Sequence, residues 1–391
     1  MSRARSAAPL LVATLLVAVA APARAQGAPE SAAFVVRLGT DTLSVERFTR
    51  TATRLEGELA TRSPRTVYRR YVADLGIGGS VSRFEMTVPR PDAPADAPPL
   101  LSMVASFTGD SIRLDVRRGD TLQTSALAVG TGAVPLLQGA YAPYELLTVR
   151  ARQGRRDTIA VASYSLGDRA PFTVVLRRLR RDSILMLTQT TPFRMLVDRD
   201  GRILGLHAPG STQQVELERV PTLDVATIAA GWAARDAQGL AMGTLSPRDT
   251  VRASVAGAEI LVDYGRPRMR GRVIFGNVVP WGRVWRTGAN AATQFRTDRD
   301  LAFGKLKVPA GTYTLWTLPN PSGWRLIINR QTRQWGTEYD PARDLGRVSM
   351  TVGTLAEPVE VFTIGVEPRE GGGFLVLAWD RTRVQAPFTV R

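Results

Sequence analysis

The chain has 391 residues, no cysteine and a single histidine, His207, which excludes disulfides, thiolate zinc sites and any His-rich metal centre. Its formal charge is +16, carried almost wholly by arginine, since Lys305 and Lys307 are the only lysines. The arginines are scattered along strand-like segments instead of forming a basic stripe with interleaved aromatics, so the charge does not point to nucleic acid.

The N-terminus reads as a secretory signal peptide over residues 1–25. Arg3 and Arg5 form a positive start, residues 7–20 are apolar, and Ala23-Arg24-Ala25 is a small-x-small cleavage pattern. The apolar run is too short and too rich in alanine to span a bilayer, and no later segment is long enough to be a transmembrane helix. Cleavage is expected after Ala25, giving a periplasmic or secreted protein. Loss of Arg3, Arg5 and Arg24 leaves 16 − 3 = +13. That compartment permits disulfides and the chain uses none, so stability has to come from core burial, for which the length allows two ordinary domains.

Alternation of large apolar and polar residues predicts an N-terminal antiparallel β domain over 32–220, a twisted sheet or open barrel. Residues 66–72, 82–88, 111–116 and 157–164 carry the pattern, as do 172–179, 183–189, 193–197, 202–206 and 213–220. Polar, glycine-bearing segments at 118–120, 153–154 and 198–201 read as turns. The proline-rich run 89–99 reads as a solvated loop. Residues 221–248 read as a helical linker, with helical spacing over 223–237, Asp224 as its cap and Trp232 on its buried side. From 249 to 391 the pattern returns to short strands with frequent turns, an antiparallel β-sandwich.

One stretch of this last part is distinctive. It reads Asp-Tyr-Gly-Arg-Pro at 263–267, Arg-Gly-Arg-Val-Ile-Phe-Gly at 270–276 and Val-Val-Pro-Trp-Gly-Arg-Val-Trp-Arg-Thr-Gly-Ala-Asn at 278–290, with Pro-Ala-Gly-Thr-Tyr at 309–313. It resembles the bacterial family known as domain of unknown function 2911, over about 249–391. That resemblance implies an exported module and no particular activity. The N-terminal part resembles, loosely, the open half-barrel sheets of lipoprotein-shuttle proteins.

The same stretch holds the densest arginine and aromatic content. Arg266, Arg272, Trp281, Trp285, Arg286, Thr287 and Asn290 are the candidate ligand-binding residues. Guanidinium forks suit carboxylate, phosphate or sulfate, and indole rings stack on sugars or on arginine. A structural role for the motif, with tryptophans filling a core and arginines bonding strand-end carbonyls, is the competing reading. The expected ligand is an anionic or carbohydrate-containing envelope component, with no cofactor and no metal. Catalysis is left open: Asp263, Asp298, Asp300, Glu338, Asp340 and His207 are the residues a hydrolase would draw on, but no Gly-x-Ser-x-Gly elbow is present. A structural or assembly protein of the envelope, presenting a sheet edge, is a third reading.

Overall fold

The computed structural model describes residues 28–91, 93–94, 96–167, 170–180, 182–188, 192–208 and 214–391. The expected signal peptide, residues 1–25, lies outside them. Two large sheets account for most of the chain.

The first has fifteen strands. From Glu30–Leu38 it runs outward in chain order, through Asp41–Arg50, Arg54–Thr61 and Val67–Leu75, to an edge at Thr121–Ala128. On the other side of Glu30–Leu38 lies Val215–Val220, and the sheet steps back from there to a second edge at Val134–Leu136. The pairs are antiparallel except at that second edge, where Val134–Leu136 runs parallel to Thr158–Ser165. The two edges do not pair, so the barrel stays open.

Alternation along each strand sorts side chains to two faces. Phe34, Val36, Phe48, Leu59, Tyr71 and Phe84 share the main core, whereas Val35, Val45 and Ala60 turn to the opposite face. Helix α2 (Val225–Ala237) covers that opposite face with Val225 and Ala229, and Trp232 packs at its margin. Its cap is the expected one: Asp224 accepts from Thr227 N at 3.0 Å.

A helix stands where the sequence pattern indicates only strands and turns. Helix α1 (Ala142–Gln153) lies inside the concave face, and the expected turn at 153–154 is its end, with Gly154 N donating to Arg150 O at 3.0 Å. Its local signals are Pro143 in the first turn, Glu145 near the start and Arg150 and Arg152 near the end, a charge order that suits the helix dipole. Its burial is nearly all-round, so it lacks a polar face and the period of an amphipathic helix.

Carboxylates anchor α1. Glu46, on Asp41–Arg50, accepts from Tyr141 N at 2.5 Å and from Ala142 N at 3.2 Å, satisfying donors that the helix start leaves open. Tyr71 donates to the same carboxylate at 2.5 Å. Burial pushes the Glu46 carboxyl up from 4.5 to about 7, against the pull of these donors and with a small further push from Glu145. Glu145 itself is buried between Arg219 at 2.5 Å and Arg50 at 3.1 Å, and accepts from Ile203 N at 2.8 Å. Gly201 fits against α1 because a Cβ there would meet Val149 Cα at 2.8 Å.

The second sheet has nine strands. Its long hairpin, Asp344–Arg369 and Gly372–Val390, joins the strands that follow Arg248–Val255 to the short pair Leu301–Phe303 and Leu306–Val308. Phe295 and Phe303 lie far apart in strand order yet their rings meet at 6.5 Å, so the sheet folds back over one core. Trp285 stacks on Trp379 at 5.9 Å in that core, with Phe362 5.0 Å from Trp285.

The two sheets meet turn against turn. Thr40 N donates to Arg270 O at 2.9 Å, and the buried Arg270 guanidinium pairs with Asp41. A Cβ on Gly39 would sit 1.9 Å from Arg270 O, and one on Gly271 would sit 2.7 Å from Thr40 Cγ2. Both glycines have positive φ, as does Arg270 at 53°. Gln214 Nε2 to Asn277 Oδ1 at 2.7 Å adds a second link.

Two outcomes follow from this geometry. Because the Glu46 carboxyl is raised in the folded state, the folded chain holds its proton where the unfolded chain has lost it. Its contribution is therefore complete below about pH 4.5 and lost as pH rises through about 7, on the order of 3 kcal/mol in all. Denaturation of Glu46→Gln should show the variant gaining on the wild type between pH 5 and 8; parallel curves would show that Glu46 does not titrate there. Gly39→Ala should lower stability by about 1–3 kcal/mol and make the chain between the sheets easier to cleave by protease. An unchanged melting temperature and cleavage pattern would mean that this contact does not hold the sheets together.

Candidate functional site

Where the sheets meet they enclose a cleft of about 840 Å³. One wall comes from the first sheet and the start of α1, and includes Leu38, Arg69, Tyr141, Tyr144, Phe193 and Val215. The other comes from residues 267–290 and 335–339 of the second sheet's loops, with Trp316 and Trp379 behind.

The loop 285–290 is fixed from both sides. Trp285 and Thr317 exchange backbone hydrogen bonds of 2.8 Å each. Thr287 is fully buried with φ 53°, and its carbonyl accepts from Thr293 Oγ1 at 2.7 Å. Trp285 Nε1 donates to Gly288 O at 3.1 Å. Arg286 lies over Gly336, where a Cβ would meet Arg286 Cδ at 2.0 Å and Asn290 O at 2.4 Å. Arg286 Nη1 donates to Gly336 O at 3.3 Å, and Gly336 N donates to Asn290 O at 3.0 Å. Asn290 is exposed with φ 63°, its amide reaching Ser246 O at 3.4 Å. Non-glycine residues held at positive φ mark a loop whose conformation is imposed by its surroundings.

Of the residues singled out from sequence, Arg272, Trp285, Arg286 and Asn290 line the cleft, and Arg266, Trp281 and Thr287 do not. Arg266 instead ties strands together, donating to Asp249 at 2.9 Å, Thr363 Oγ1 at 3.0 Å and Phe362 O at 3.2 Å. Trp281 stacks on Phe275 at 5.9 Å, beside the cleft. Thr287 lies beneath the lining loop. The two readings of the motif thus divide by residue, and Trp285 serves both, as a core ring and as back wall of the cleft.

Sequence reasoning did not reach Arg69, Tyr144, Phe193, Trp316, Trp335 or Trp379, which the fold brings to the same space. Arg69 sits within the alternating strand Val67–Leu75 and donates to Thr61 Oγ1 at 2.9 Å. Nothing local marks it as different from the exposed arginines of neighbouring strands.

The charge of the cleft is one-sided. Arg69, Arg268, Arg270, Arg272, Arg283 and Arg286 line it, and no aspartate or glutamate does among the described residues. Burial lowers the guanidinium pKa of Arg69, Arg272 and Arg286 from its ordinary value, with the charge of Arg270 adding to the effect at Arg272 and the Glu360 carboxylate opposing it there. Arginine stays protonated under such shifts, so these are desolvated cations. Arg272 donates to two backbone carbonyls, Met269 O at 2.9 Å and Arg268 O at 2.7 Å. Arg270 Nη2 is buried without a hydrogen-bond acceptor among the described residues.

The residues a hydrolase would draw on do not line the cleft, although Glu338 lies in its wall segment between Thr337 and Tyr339. Asp263 pairs with Arg248, Asp298 accepts from Glu259 N at 2.7 Å, and Asp300 accepts from Ala310 N at 2.8 Å. Glu338 accepts from Trp335 N at 3.1 Å and Asp340 from Ala342 N at 2.9 Å. His207 is exposed at the end of Ile203–His207, opposite Arg194 and Glu216. Among the described residues no three His, Asp or Glu side chains gather where they could hold a metal ion, and no helix is long and apolar enough to cross a membrane.

No curated protein matches the chain. Several solved structures show similarity, two of them as follows. A DUF1089 family protein from Pseudomonas aeruginosa is 14% identical, with 44% of this chain and 91% of that one covered and a TM-score of 0.33. A β-barrel-like protein of domain of unknown function DUF1849 from Brucella abortus is 9% identical, with 49% and 96% covered and a TM-score of 0.33. Residues 246–388, the part that supplies the arginine and tryptophan wall of the cleft, match the family described as protein of unknown function DUF2911, the family that the motif at 263–290 resembles.

Proposed function

We propose that the protein is an exported, non-enzymatic binding module whose cleft takes an anionic or sugar-containing component of the cell envelope. The observation that carries this reading is the lining: guanidinium groups on both walls, aromatic rings between them and no carboxylate. Removing cations from water is costly unless a counter-charge meets them, and the carboxylates near these cations, Asp41 at Arg270 and Glu360 beside Arg270 and Arg272, stand outside the cleft lining. An anion entering the cleft would complete these cations with charge-assisted bonds. That neither His207 nor any of the acidic residues a hydrolase would draw on lines the cleft supports binding over hydrolysis. The signal-like N-terminus supports export, which limits ligands to those beyond the inner membrane.

A second reading draws on the edge strand Thr121–Ala128, which pairs on one side only and is exposed along nearly its whole length. Such an edge favours strand addition by a partner. Concentration-dependent growth beyond the monomer in sedimentation would support that role.

The binding reading is tested by calorimetry with phosphate, glucuronate and an acidic oligosaccharide at low and moderate salt. Arg268 and Arg283 line the cleft yet are exposed, so they can be removed without opening the core. Arg268→Ala combined with Arg283→Ala should weaken anion binding by about tenfold or more with an unchanged melting temperature, and added salt should mimic the loss. Binding that is indifferent to both changes, or no binding of any anion, would sink the proposal.

A further inference from the structure

We infer that the cleft's ligand is an amphipathic anion, a molecule with an anionic head and an aliphatic chain. The inference rests on the anion-binding reading above and adds the chemistry of the rest of the ligand. Tyr141, Tyr144, Phe193 and Val215 line the cleft and also pack on the main core of the first sheet. Val36, a member of that core, reaches the cleft as well. The apolar wall is therefore the exposed end of a hydrophobic core and not a patch on an outer surface.

Three of the polar side chains along this wall are engaged within the protein. Ser44 Oγ donates to Gly139 O at 3.0 Å, Ser63 Oγ donates to Gly243 O at 3.0 Å, and Thr61 Oγ1 accepts from Arg69 at 2.9 Å. Arg69 is the one cation on this wall, and the opposite wall carries the guanidinium groups of residues 268–286. A small hydrophilic anion would satisfy the arginines and leave the apolar wall wet. An uncharged amphiphile would cover that wall and bring no counter-charge to the exposed Arg268 and Arg283. A molecule with both features meets both needs, and a volume of about 840 Å³ is within the range of small-molecule sites. The head lies toward the loops of the second sheet, and the chain lies along α1 and the first sheet.

Tryptophan fluorescence reports on the cleft because Trp285, Trp316, Trp335 and Trp379 line it. Full-length protein is titrated with inorganic phosphate, hexyl phosphate, decyl phosphate and decyl maltoside, each below its micelle concentration. Affinity should rise about threefold to fourfold per methylene from hexyl to decyl phosphate, the effect of removing one CH₂ from water. Decyl maltoside should bind at least tenfold more weakly than decyl phosphate. Phe193→Ser should flatten the chain-length dependence and leave inorganic phosphate unaffected. Arg268→Ala with Arg283→Ala should weaken the phosphates by a common factor. Equal affinity for inorganic and decyl phosphate overturns the amphipathic ligand and leaves the anion reading standing. Maltoside binding as tightly as the phosphate overturns it too, and no binding of any phosphate overturns both. Cosedimentation with phosphatidylglycerol vesicles distinguishes the source: a protein that takes decyl phosphate but not vesicle lipid recognises free alkyl anions, whereas vesicle binding without decyl phosphate binding excludes the cleft as the site.

Discussion

The turn at Gly39 and Thr40 meets the turn at Arg270 and Gly271 too closely for either glycine to carry a methyl group. That contact, with the link from Gln214 to Asn277, joins the two walls of the cleft. It sets the open end of the first sheet against the arginine loop of the second, and it buries Arg270 with Asp41 as its partner. A buried ion pair with a shared backbone hydrogen bond is specific in geometry even where it adds little net stability. The two sheets could each bury a core alone, since their main clusters are separate. The turn contact is what converts two cores into one lined space.

The first wall depends on α1 being held in place. A helix inside a concave sheet has to satisfy its free N–H groups without water, and Glu46 does this from a strand far away in sequence. Glu145 locks the helix to Arg50, Arg219 and Ile203 N. These are expensive groups to bury, and burial shows in the raised carboxyl of Glu46. Their return is positional: Tyr141 and Tyr144 are delivered to the cleft at the first turn of the helix. The opposite wall is positioned by different means, through Gly336 and Gly288, which let the loop 285–290 pass against its neighbours.

Much of the fold was legible because strands declare themselves locally. Alternation at residues 66–72 and 111–116 corresponds to Val67–Leu75 and Ser111–Arg118, and Asp224 announces α2 through a short-range bond. Helix α1 was not legible, because Glu145 and Thr148 are buried together with Leu146 and Leu147 and no polar face is left to betray its period. The cues at Pro143, Arg150 and Gly154 were present but are weak beside periodicity. At the site, the density of arginine and tryptophan over 264–290 was enough to find Arg272, Trp285, Arg286 and Asn290. It could not separate them from Arg266, whose partners Asp249, Phe362 and Thr363 are strand neighbours only in the folded sheet.

By itself, then, the sequence determined the class of structure, the excess of arginine, the absence of thiol chemistry and one wall of the cleft, because composition and nearest-neighbour patterning are properties of the chain before it folds. Only the tertiary structure decided that there is a cleft. Arg69 and Phe193 became lining residues through pairing registers and a turn-to-turn contact between distant segments, and Arg266 became a strut by the same means. Which arginines face a ligand is set by long-range packing, and no local pattern encodes it.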